Sequence, residues 1–161
     1  MEKWDGYDGH LNKIEGLTLI RGEGIPDGIF HLVCEIIVKH ADGTYLLMRR
    51  DKRKHLGGMW ESTAGGSALQ GEDPLICAIR ELQEETGIVA NELTEIGRVL
   101  HHGHQTYYVD YLCNTDVDKG SIILQEGETS AYKWVTYDEL RRMSRDEIAT
   151  QRIQYFIEEL Q

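Results

Sequence analysis

Basic residues are in short supply in this chain. There are 17 Lys and Arg against 28 Asp and Glu, for a formal net charge of −11. So acidic a surface repels a phosphate backbone, which argues against broad nucleic-acid binding through a basic face. A small polyanionic substrate is still compatible with it, provided basic side chains or a bound cation reverse the field locally. Cysteine is also sparse. Cys34, Cys77 and Cys113 are widely separated and include no Cys-x-x-Cys pair, so neither a disulfide framework nor a thiolate zinc site is expected. Each lies among apolar neighbours and reads as a small buried filler. No apolar run approaches the roughly 18 residues of a membrane-spanning helix. Residues 1–8 lack the basic-then-apolar layout of a signal peptide, and a cytoplasmic location is expected. There are only two prolines, Pro26 and Pro74, and no repeat, low-complexity tract or linker. A length of 161 residues suits one domain spanning 1–161.

Apolar residues make up 40% of the chain, and 17 glycines punctuate short elements. Residues 17–20 predict a strand and 22–28 a loop. Residues 30–38, rich in Val and Ile, predict a strand. Asp42-Gly43 marks a hairpin turn into a second strand over 44–50, and a charged loop follows over 51–58. Residues 60–64 predict a short strand running into Gly65-Gly66. Asp73 suits an N-cap, Pro74 the first helical position and Gly87 the position past the end, so a helix is expected between them. Leu75, Ile79, Leu82 and Thr86 form its apolar stripe. Strands are expected over 95–101, 105–113 and 131–135, with Tyr107, Val109 and Tyr111 sharing one face. The capping-box patterns at Thr136–Glu139 and Ser144–Glu147 predict two helix starts. The last helix would bury Ile153, Phe156, Ile157 and Leu160. This alternation indicates an α/β domain with a curved mixed sheet and helices packed on it.

The chemistry concentrates in residues 66–88, GSALQGEDPLICAIRELQEETGI. On a helix, Glu81, Glu84 and Glu85 share one arc away from the Leu75/Ile79/Leu82 stripe. Such carboxylates repel, and Glu81 and Glu85 form a like-charged i,i+4 pair. The plain interpretation is a solvated acidic face. The functional one is a site for a hard cation, since carboxylate oxygens are the ligands Mg²⁺ prefers and Mg²⁺ is commonly shared with substrate phosphates. The flanking residues favour the second. Gly65, Gly66 and Gly71 let backbone approach closely, and Glu72 and Arg80 lie at the rim, where Arg80 can hold a carboxylate through a forked hydrogen bond.

The segment resembles the Nudix signature at every defined position: Gly66, Glu72 after five residues, then after seven more the run from Arg80 to Ile88. The likeness extends over about residues 30–140, through Leu46-Leu47-Met48-Arg49-Arg50, Gly58-Met59-Trp60-Glu61 and Tyr132-Lys133-Trp134-Val135. The resemblance implies an α/β/α sandwich with a mixed curved sheet, in which residues 66–88 form a loop–helix–loop. It implies hydrolysis of a diphosphate bond in a nucleoside diphosphate derivative or similar small molecule. It further implies Mg²⁺ or Mn²⁺ bound by Glu81, Glu84 and Glu85, with Glu72 and Gly65 at the edge of the metal cluster and Arg80 orienting a glutamate. The general base would be a box glutamate, such as Glu81 or Glu84, or one from a later loop, Glu126 or Glu128. Glu126 is slightly preferred for its distance ahead of Trp134. A homodimer is a fair expectation on the same resemblance.

Outside the box, Arg49, Arg50, Lys52, Arg53 and Lys54 form the one dense basic run, and Arg50 is the best single candidate for a phosphate contact. Trp60, Tyr107, Tyr108 and Trp134 could stack on a base, against a default of core packing; Trp60 is carried as a substrate contact. His31 and Glu35 could line the cleft. The run His101-His102-Gly103-His104 reads as a loop between strands rather than a zinc site. Residues 1–29 resemble the N-terminal hairpin of the Nudix subgroup that includes isopentenyl diphosphate isomerase. That isomerisation needs a cysteine near residues 60–64, where this chain has Ser62, Thr63 and Ala64. Isomerase chemistry and non-catalytic nucleotide-sugar binding stand as the alternatives to hydrolysis.

Overall fold

The computed structural model describes residues 1–149 and 157–160. Alternating apolar residues build the strands. In order they are β1 (Lys3–Tyr7), β2 (Lys13–Ile20), β3 (His31–His40), β4 (Tyr45–Arg50), β5 (Trp60–Glu61) and β6 (Ala64–Ser67), then helix α1 (Pro74–Thr86), β7 (Thr94–His101), β8 (Thr106–Thr115), β9 (Thr129–Val135) and helix α2 (Tyr137–Arg142). Strands β1 and β2 form an antiparallel hairpin. The main sheet runs β5-β4-β3-β8-β7, with β6 also pairing β3 and β9 also pairing β4. The pair β3–β8 is parallel and the other pairs are antiparallel, so the sheet is mixed as expected.

The period of two along β3 and β4 sends side chains into two cores on opposite faces. Leu32, Cys34, Ile36, Leu46 and Met48 join Tyr107, Val109 and Tyr111 under α1, where they meet Cys77, Ala78 and Leu82. On the other face Ile37, Tyr45 and Leu47 pack with Leu112, Val135, Leu140 of α2, Ile148 and Ile157. The expected strand over 60–64 breaks in two. β5 pairs β4 while β6 pairs β3, and the buried residues Ser62 and Thr63 cross between them.

Two expectations need correction. The face that α1 buries is Cys77, Ala78, Leu82, Glu85 and Thr86, while Leu75 is exposed. The helix turns its small residues, not its Leu75/Ile79 edge, toward the close-lying β6 and β3, and this carries Glu85 inward. The Ser144 start yields a single turn, in which the Ser144 N–H donates to the Glu147 carboxylate at 2.8 Å. Ile148 then pairs with Trp60 and enters the second core. Ile153 and Phe156 lie outside the described residues; Ile157 is buried, and Leu160 packs on the same core.

Candidate active site

Helix α1 begins and ends where the sequence signals it. The Asp73 carboxylate accepts from the Ile76 N–H at 2.9 Å, and Gly87 ends the helix in the left-handed region at φ 76°. Before it, β6 brings backbone against the helix at two glycines. A Cβ on Gly65 would lie 2.1 Å from the Cys34 carbonyl oxygen, and one on Gly66 would lie 2.6 Å from a Glu81 carboxylate oxygen. At Gly65 only hydrogen fits against the sheet backbone, whereas a Cβ at Gly66 would have to displace the Glu81 carboxylate.

Arg80 organises the acids. Its Nε donates to Glu72 Oε1 at 2.7 Å and its Nη2 to Glu72 Oε2 at 2.9 Å, a fork that also reaches the Ser67 carbonyl at 3.0 Å. Its Nη1 donates to Glu81 at 2.7 Å and to the more exposed Glu84 at 3.2 Å. Burial pushes Glu72 up, but the Arg80 and Leu69 hydrogen bonds outweigh it and hold that carboxyl below its usual value. Glu81 moves the other way: burial raises it more than Arg80 lowers it, and the charges of Glu84 and Glu72 add to the rise. Glu85 is 7% exposed and is pushed up to about 8, chiefly by burial and further by Glu61 and Glu81. The Gly65 N–H, donating to Glu85 at 3.1 Å, opposes that rise.

A cleft of about 260 Å³ opens over this cluster, lined by Gly65 and Gly66 of β6, by Arg80, Glu81, Glu84 and Glu85 of α1, by Lys54 from the loop before the box and by Gln125 and Glu128 from a loop after it. Lys54 pairs with Glu128. The tight turn from Gln125, with Gly127 at φ 83°, turns Glu128 inward and leaves Glu126 exposed, away from the wall. The preference for Glu126 is therefore not matched by its position. The structure also withdraws Arg50, whose guanidinium pairs with Glu61 and donates to the His55 carbonyl at 2.7 Å. Trp60 sits on edge strand β5, with Lys133 4.4 Å and Arg49 5.8 Å from its ring centre, packed toward the second core. Strand alternation gives Glu35 the same side of β3 as Ile37, opposite α1, and it lines no part of the cleft. Tyr107 and Trp134 belong to the first core. His31 stacks on Trp4 at 4.5 Å. His101 and His104 close a turn with rings stacked at 4.0 Å. Glu72 supports Arg80 rather than lining the cleft. Two charged wall residues escaped sequence reasoning, Glu2 and Arg21. They come from the hairpin, far from the box in the chain, and no local pattern marks them.

Among the described residues no three His, Cys, Asp or Glu side chains are already gathered closely enough to hold a metal ion. The donor chemistry nonetheless fits a hard divalent cation. Glu81, Glu84 and Glu85 are all-oxygen donors on one wall, two of them with raised affinity for a proton, the ion a cation would displace.

A NUDIX domain model matches residues 30–158. The chain is similar to an uncharacterized Nudix hydrolase, lmo0368, of Listeria monocytogenes. The two are 31% identical over 144 residues, covering 89% of this chain and 85% of the relative. Among solved structures it is similar to DR0079 from Deinococcus radiodurans, with a TM-score of 0.78, 16% identity and 98% of both chains covered. It is also similar to the NUDIX domain of Shewanella oneidensis NrtR complexed with ADP ribose, with a TM-score of 0.63, 17% identity, and 81% and 88% of the two chains covered. At these identities the structural likeness is one of fold.

Proposed function

The chain belongs to the NUDIX family and is a Nudix pyrophosphohydrolase; from that premise we propose that it hydrolyses the diphosphate bond of a nucleoside diphosphate derivative or similar small molecule with the help of Mg²⁺ or Mn²⁺. The observation that carries this proposal is the cleft itself, where Glu81, Glu84 and Glu85 share a wall with Glu128 and Lys54.

Glu81, Glu84 and Glu85, with the Gly65 backbone beside them, would hold the cation. When bound, a divalent cation neutralises diphosphate oxygens and makes a water easier to deprotonate. The residues of the chain do the rest. Arg80 keeps its fork on Glu72 and releases Glu81 and Glu84 to their ligand roles. Lys54 turns from Glu128 to a phosphoryl oxygen of the substrate. Glu128, so released, accepts the proton of the attacking water as general base. The water oxygen forms a bond to one phosphorus while the bridging P–O bond breaks, and the departing phosphoryl group keeps the electron pair. Lys54 and Arg80 face the charge that grows on those oxygens. The isomerase alternative has no support at the site: Cys34, Cys77 and Cys113 are buried and none lines the cleft.

The test is a panel of diphosphate compounds assayed for phosphate release with and without Mg²⁺ or Mn²⁺. Turnover should need the metal. Glu84→Gln, Glu85→Gln and Glu128→Gln should each lower kcat by about 10²- to 10³-fold. Full turnover in the first two variants would refute the assignment of the ligands, and full turnover in the third would refute that of the base.

A further inference from the structure

The hairpin β1–β2 precedes the residues matched by the family model, yet it is docked on the box loop. The Gln70 N–H donates to the Lys3 carbonyl at 2.9 Å, the Gln70 side chain to Thr18 Oγ1 at 2.7 Å, and the Gly71 N–H to the buried Asp5 carboxylate at 2.8 Å. Lys13 pairs with the same carboxylate at 2.7 Å. This docking places Glu2 and Arg21 on the cleft wall.

The cations on that wall differ in how firmly they are held. Arg80 is tied to Glu72, Glu81, Glu84 and the Ser67 carbonyl. Lys54 is paired with Glu128. Arg21 pairs with Glu2 at 2.9 Å while its side chain is 66% exposed. An exposed pair of this kind contributes little to stability, so exchanging its partner is inexpensive. Glu2 would not be stranded by the exchange, because the Trp4 indole N–H donates to it at 2.7 Å and the charge of Arg80 also acts on it.

We infer that Arg21 is a substrate-binding residue whose guanidinium, kept at the cleft mouth by Glu2, leaves Glu2 on substrate binding to take a phosphoryl oxygen on the hairpin side. The inference rests on the hydrolase reading of the cleft. It makes Glu2 a competitor of the substrate, so the two partners of one ion pair have opposite effects on affinity. A bridge that merely fastened the hairpin would give both the same sign.

The measurement is calorimetric binding of inorganic pyrophosphate with Mg²⁺ to the full chain and its variants, together with KM and kcat on the best substrate of the diphosphate panel. Arg21→Gln should weaken pyrophosphate binding and raise KM by about tenfold, with kcat within about twofold. Arg21→Lys should recover part of that loss, since the charge remains and the fork does not. Glu2→Gln should tighten binding about two- to threefold by removing the competing carboxylate. Unchanged affinity in Arg21→Gln overturns the inference, and so does weakening of similar size in Arg21→Gln and Glu2→Gln. Failure of the wild type to cleave any compound of the panel would instead overturn the hydrolase reading beneath it.

Discussion

Gly65 and Gly66 are adjacent in the chain but answer to different physics. A methyl group on Gly66 meets the carboxylate of Glu81, the movable end of a side chain, whereas one on Gly65 meets the Cys34 carbonyl, which belongs to the sheet. Gly66→Ala should therefore displace Glu81 and cut turnover with little change in melting temperature. Gly65→Ala must push β6 from β3 and should lose about 1–3 kcal/mol of stability in a denaturant titration. Glu85 gives a pH prediction. Its carboxyl titrates near 8 when folded, chiefly through burial, against 4.5 ordinarily. Between those values the folded state binds a proton that the unfolded state has lost, so metal-free stability falls as pH rises through that window. Urea titrations in EDTA at about pH 5 and about pH 8 should show the decline, and Glu85→Gln should flatten it. That Glu85 would be the buried acid was not readable in the sequence. Helical spacing groups it with Glu81 and Glu84, but only the docking of α1 decides which edge of that arc turns inward.

At the level of elements, the signals that proved dependable are those whose partners lie within four residues. Asp73, Pro74 and Gly87 mark both ends of α1 because capping is satisfied locally. Asp73→Ala should lower stability by about 1 kcal/mol, measured by thermal or denaturant unfolding, without altering the arrangement of the box acids. The same logic explains why Thr136 and Glu139 open a helix, with both halves of the capping box made. Ser144 and Glu147 make only a turn, since Ile148 is drawn to Trp60 and the second core. Arg50 and Trp60 were singled out as a cation and an aromatic near the box. Their strands nevertheless hold them in other company: Arg50 by Glu61, and Trp60 beside Lys133 and Arg49. The hairpin is the converse case. The resemblance of residues 1–29 to a subgroup hairpin names no side chain for the cleft, and the hairpin's contribution follows from three hydrogen bonds to the box loop.

Across the whole molecule, an acidic chain concentrates carboxylates in one cleft and there meets Arg80, Lys54 and Arg21. A cation bound only by the folded state must stabilise it by mass action, by about 2.7 kcal/mol at a hundredfold excess over its Kd. Mg²⁺ or Mn²⁺ should thus raise the melting temperature by several degrees in a thermal scan, with Ca²⁺-free EDTA buffer as the reference. Glu85→Gln should remove most of that shift, while Arg21→Gln should leave it in place.

The sequence alone determined the sheet-and-helix plan, the limits of α1 and the identity of the acidic cluster. These depend on periodicity, on caps and on a motif of fixed spacing, all of which are complete within a short stretch of chain. Tertiary structure alone decided that Glu128 rather than Glu126 lines the cleft, that Arg50, Trp60 and Glu35 do not, and that Glu2 and Arg21 do. Those outcomes depend on which way a turn or strand faces once distant segments pack together, and that orientation is set by contacts the linear order does not contain.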